Sequence, residues 1–183
     1  MASEQRIAFS ETNFEQLQLI GIRVSPAALE PEYHALVLYH EVARNDKNRP
    51  MTHEGRLIFF SKPTSANNAL RLGDPAFRKY APFAGEVSYV YDIPKVVDLI
   101  LRGEEDPGAQ VLNLINELFD FVAATPLPMP TWARKALEDL ADYATFDRDL
   151  EGFFKDDPGS RKLSADAVIW SVGAVCLSAE LVE

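Results

Sequence analysis

Alternation of apolar and polar side chains is confined to the first hundred or so residues. From Asp106 onward the apolar residues recur at intervals of three and four. A period of two suits a strand with one buried face, and a period near 3.6 suits a helix, so sheet and helices are segregated along the chain. The expectation is an α+β protein: an N-terminal, mostly antiparallel sheet of about four strands with one or two helices, then a C-terminal bundle of about four helices. No internal repeat or low-complexity linker interrupts the 183 residues. They read as a single domain, with a sheet-containing part (1–103) and an acidic helical part (104–183) sharing one core.

Residues 16 to 24, "QLQLIGIRV", alternate and then change phase at Leu19-Ile20, which suggests a bulge near Gly21. A rival reading makes Thr12 to Glu15 a capping box that opens a short helix. "YHALVLYHEVA" and "GRLIFFSK" are clearer strands, and the polar connection "RNDKNRPMTHE" between them suits antiparallel neighbours, so the first three strands read as a meander. "TSANNALRLGD" reads as a short helix capped by Thr64 or Ser65 and ended by a left-handed Gly73. After the strand "EVSYVYDI", "PKVVDLILRG" is a helix with Pro94 in its first turn and Gly103 past its end.

In the second half, Val111, Leu114, Ile115, Leu118 and Val122 make one face of a long helix. Gln110, Asn113, Asn116, Glu117 and Asp120 fall on its polar side, expected to be solvated. Prolines in "PLPMP" stop that helix, Thr131 is the expected cap of the next, and Ser164 the expected cap of "ADAVIWSVGAVCLSAEL". This last segment is apolar nearly all round and is therefore expected to be the central buried helix. Cys176 lies within it and reads as a core residue; a lone cysteine excludes an intrachain disulfide and a cysteine zinc cluster.

The charge is unevenly spread. Residues 1–103 carry 12 basic and 12 acidic side chains, whereas residues 104–183 carry 6 and 16, so the net charge of −10 belongs to the second part. Such a surface repels nucleic acid and anionic membranes and favours a basic protein partner. No secretory leader is visible and the most apolar run, residues 165 to 178, is shorter than the roughly 20 residues of a membrane span, so the expectation is a soluble, cytoplasmic protein. Free sheet edges would allow a homodimer.

Motifs for nucleotide-phosphate loops, a serine nucleophile elbow and HExxH zinc peptidases are absent from the sequence. His34 and His40 share a strand face but stand roughly 20 Å apart at about 3.3 Å per residue, too far for one metal. No metal, cofactor or catalytic set is assigned. Two functional readings follow. In the first, a non-catalytic inhibitor, toxin antidote (immunity-type) protein or adaptor binds a basic partner through Glu138, Asp139, Asp142, Asp147, Asp149 and Glu151, with interleaved aromatics Tyr143, Phe146, Phe153 and Phe154. In the second, a small enzyme or ligand sensor has a cleft between sheet and helices that uses His40, His53 or Asp92, the last of which also suits a helix cap.

Overall fold

The computed structural model describes residues 14–41 and 48–183. Thr12, the cap of the rival helix, and residues 44–47 of the polar connection lie outside them. The first described element is a strand, β1 (Phe14–Arg23), which pairs antiparallel with β2 (Tyr33–Glu41) in one continuous register, Leu17 opposite Leu38 and Ile20 opposite Ala35. Two short strands follow, β3 (Arg49–Pro50) against β2 and β4 (Thr52–His53) against β5 (Arg56–Phe60). Glu54 and Gly55 join β4 to β5 with φ of 49° and 78°, the doubly positive conformation that a two-residue hairpin turn demands. β5 returns to β2 at the His34–Phe60 pair, completing the expected meander.

A 3-10 turn, Pro63–Ser65, leads into α1 (Ala66–Leu72) and α2 (Pro75–Arg78), and β6 (Val87–Asp92) then lies parallel to β1. The irregularity expected near Gly21 falls between Leu19 and Ile20, where the register with β6 skips Ser88; the pairing with β2 is undisturbed. The phase change in the sequence has a further cause, because Leu17 and Leu19 face one apolar cluster and Ile20 and Ile22 the other.

The helical part comprises α3 (Ile93–Arg102), α4 (Gln110–Ala123), α5 (Thr131–Phe146), α6 (Leu150–Phe154) and α7 (Gly159–Leu177). Gly103 ends α3 at φ 66°, the left-handed position that glycine adopts without a Cβ clash. The bundle covers one face of the sheet and shares a cluster with it: Ile20, Val37, Leu57 and Phe59 pack in the same core as Val96, Leu114, Leu137 and Val168. The smaller helices α1 and α2 cover the other face, where Leu70 and Phe77 meet Leu36, Ile58 and Phe60.

Several local expectations need correction. The chain ends in a strand, β7 (Ala179–Val182), parallel to β5 with Leu57 opposite Ala179, where a helix was expected to continue. Gly73 has φ −64° and is not left-handed. Thr131 is the first residue of α5 and caps nothing with its side chain. Ser164 lies inside α7, buried, because that helix begins five residues earlier. Nor is α7 buried all round: Ile169, Cys176 and Leu177 are exposed, so Cys176 is not a core residue. Among the described residues no helix is long and apolar enough to cross a membrane.

Candidate functional site: an apolar cavity with a buried carboxyl

Between the sheet and the bundle lies a cavity of about 340 Å³. Its walls come from Ile22 of β1, Phe59 of β5 and Tyr91 of β6 on one side, and from Leu114, Leu118 and Phe121 of α4 on the other. Val175 and Cys176 of α7, with Ala179 and Leu181 of β7, complete it. The alternation of the strands explains the sheet wall, since Ile22, Phe59 and Tyr91 all belong to the face turned to the bundle. The helix wall is the i, i+4, i+7 stripe Leu114, Leu118, Phe121. Among the described residues no lysine, arginine or histidine lines the cavity, and Glu117 is its one charged side chain.

Glu117 was expected on the solvated side of α4; it is 2% exposed. It stands three residues from Leu114 and four from Phe121, at the border of the apolar arc, and the sheet covers that border. From the sheet, the Tyr39 hydroxyl donates to Glu117 Oε2 at 2.8 Å and the Tyr91 hydroxyl donates to the same oxygen at 3.0 Å. Oε1 is buried and has no hydrogen-bond partner among the described residues. Burial raises the Glu117 carboxyl from 4.5 to about 7, although both tyrosines favour the charged form, and the negative charge of Asp120 adds to the rise. Asp120, half-buried one turn on, is itself raised to about 6 by burial, against a hydrogen bond from Asn48. Tyr39 and Tyr91 are pushed upward, first by burial and then by the Glu117 charge, so they remain neutral donors. Partial burial also raises the Cys176 thiol, which keeps it largely protonated at neutral pH.

A second buried acid shows what a purely structural carboxyl looks like here. Asp106, 2% exposed, accepts the Val111 backbone N–H at 2.7 Å and the Gln110 side-chain amide at 3.5 Å, so both its oxygens are engaged at the start of α4. Glu117 has one oxygen engaged and one bare. An unpaired buried acceptor costs about 1–3 kcal/mol, and this separates Glu117, which lines the cavity, from the fully engaged Asp106.

The residues singled out from sequence are distributed as follows. His40 Nε2 is 3.4 Å from Glu15 of β1, and His53 Nδ1 is 3.4 Å from Glu180 of β7, so the two histidines are engaged with different strands. His53 borders an open groove with Asp74 and Arg78. Asp92 caps α3, accepting the Lys95 N–H at 3.1 Å, and pairs with Arg23 at 2.5 Å. None of the three lines the cavity.

The acidic set Glu138, Asp139, Asp142, Asp147, Asp149 and Glu151 is exposed on α5, α6 and the turn between them. Glu138 pairs with Arg134 at 3.4 Å and Asp139 with Lys135 at 2.8 Å. Asp149 caps α6, while the Asp149 backbone N–H holds the Asp147 carboxyl below its usual range. Of the aromatics between them, Tyr143, Phe153 and Phe154 pack on one another, whereas Phe146 is 91% exposed. Among the described residues no group of three or more His, Cys, Asp or Glu side chains is placed to hold a metal.

Fold and site together define an α+β protein with an apolar cavity between sheet and bundle and, among the described residues, a single carboxyl in its wall. No protein-family model, curated protein or solved structure matches the chain.

Proposed function

We propose that this protein is a non-catalytic binder of a small, predominantly apolar ligand held between the sheet and the bundle. The observation that carries the reading is the buried carboxyl of Glu117, with Oε1 unpaired among the described residues, in the wall of a cavity of about 340 Å³ otherwise lined almost entirely by hydrocarbon. Sites for small molecules combine apolar walls with a few fixed polar groups, and a carboxyl with a displaced pKa in such a wall is a marker of a functional site. The environmentally sensitive dye N-phenyl-naphthylamine, neutral at pH 7.5, should brighten on addition of protein and saturate at one equivalent. Cys176→Trp, placed at the exposed rim where a larger ring burdens no core, should abolish the saturable signal while leaving the thermal midpoint within a few degrees. A dye signal that stays linear with protein, or that is unaffected in Cys176→Trp, would count against the reading.

A second reading, in which the protein is an inhibitor, toxin antidote or adaptor, rests on the exposed Phe146 between the exposed acids Asp142 and Asp147. An aromatic anchor ringed by one sign of charge is a common interface element. Capture of a basic protein from the native cells that survives low salt, weakens at moderate salt and disappears on charge reversal of Asp139, Asp142, Asp147 and Asp149 would support it. Retention unaffected by both would speak against that face.

A further inference from the structure

We propose that the ligand of the cavity is an amphiphilic amine, bound as its cation with the ammonium group donating to Glu117 Oε1. The inference rests on the small-ligand reading above and narrows it to a chemical class. The first ground is the balance of donors and acceptors at the buried carboxyl. The Tyr39 and Tyr91 hydroxyls are already committed to Oε2, and the remaining wall tyrosine, Tyr33, is exposed. Above about pH 7, where the carboxyl is ionised, what is left over is an acceptor. A ligand whose head group only accepts, such as an ester, ketone or carboxylate, finds no partner at that position.

The second ground is charge. With no lysine, arginine or histidine among the described residues of the wall, a carboxylate or phosphate head would be buried unpaired beside a second acid, an arrangement that desolvation strongly disfavours. An ammonium group placed on Oε1 instead supplies the counter-charge that burial has denied to Glu117. The third ground is the nature of the walls. Phe59 and Phe121 meet edge to face in the wall with ring centroids 5.7 Å apart, and Tyr91 lies beside the carboxyl, so aromatic faces and edges make up part of the wall. Such faces attract cations and repel anions. A net charge of −10 on the whole chain further raises the local concentration of cationic ligands.

The experiment is displacement of bound N-phenyl-naphthylamine at pH 8 by three molecules of equal chain length: n-octylamine, n-octanol and n-octanoate. The amine should displace the dye at a concentration about tenfold or more below the alcohol, as expected when a neutral hydrogen bond becomes a charge-assisted one, and octanoate should be the weakest. In Glu117→Gln, which keeps every surface acid and therefore any non-specific attraction for amines, the amine should fall to the level of the alcohol. If the wild-type protein ranks alcohol and amine equally, or octanoate first, the amine inference is wrong while the cavity remains a binding site. An amine preference that persists in folded Glu117→Gln would equally overturn it, by assigning the preference to the acidic surface. Failure of the dye and of all three competitors to bind would remove the small-ligand reading itself. Should Glu117→Gln fail to fold, charge reversal of the surface acids Asp139, Asp142, Asp147 and Asp149 takes its place: an amine preference kept in that variant supports the inference, and one lost there overturns it.

Discussion

On the sheet face covered by α1 and α2, His34 is 3% exposed, stacks on Phe60 with centroids 6.0 Å apart and bonds to the Phe60 backbone. On the face covered by the bundle, Glu117 is as deeply buried, grips two tyrosines and borders an open space. Each side chain leaves one polar atom unpaired among the described residues, His34 Nδ1 and Glu117 Oε1. An imidazole meets burial by staying neutral, and burial indeed lowers the His34 pKa. A carboxyl can do so only below about pH 7, and above it the bare oxygen carries charge. One face is therefore a closed core that tolerates a polar atom, and the other is a core left incomplete around one.

Truncation of the large aromatics should expose that difference most strongly. Phe60 is fully buried in the closed face, so Phe60→Ala should cost about 3–5 kcal/mol in a urea titration. Phe59 already borders empty space and has fewer partners to lose, so Phe59→Ala should cost less, about 2–3 kcal/mol. Equal losses would mean that the cavity is collapsed or filled in solution, and the contrast between the faces would be lost.

The next effect is linked to pH. A carboxyl raised from 4.5 to about 7 binds more protons in the folded than in the unfolded state across that window, so its stabilising contribution is complete below pH 4.5 and is lost as the pH rises through 7. Glu117→Gln should accordingly be more stable than wild type at pH 8, by up to about 3 kcal/mol, with the advantage disappearing near pH 4.5. A constant difference across the range would place Glu117 in water. His34 works in the opposite sense. Its lowered pKa gives stability that is present above pH 6.5 and lost on acidification, so His34→Leu should flatten the acid side of the profile relative to wild type. Thermal melts of both variants over one pH series separate the two slopes. Smallest of all, Asp139→Ala on the exposed face of α5 should change stability by less than about 0.5 kcal/mol, because its pair with Lys135 is exposed and screened.

Much of this architecture was legible in residue order. Asp92 could be read as a helix cap and Gly103 as a helix end because capping is decided within a few residues. Glu117 was not legible as a site residue, because its partners lie 78 and 26 residues away and a helical wheel alone puts it on the polar arc. Its one local signal is the position between Leu114 and Phe121 in a stripe that is otherwise apolar. The β7 strand was missed for a related reason: four residues directly after a helix are too few to display a period. Cys176 and Leu177 belong to an apolar run, and only the packing of α7 shows that this side of the helix is left uncovered.

The pairing of β7 with β5 also bears on how the molecule is made. The Arg56 guanidinium donates to the Ala179 carbonyl across 123 positions of sequence, and Leu57 to Phe60 are joined to Ala179 to Val182 at similar separations. Contacts this remote form slowly, since the entropy of closing so long a loop must be overcome before they give any return. Ala179 and Leu181 are also part of the cavity wall. The cavity wall is therefore complete only once this long-range pairing has formed, and amide hydrogens along β7 should be among the first of the sheet to exchange when the native protein opens locally.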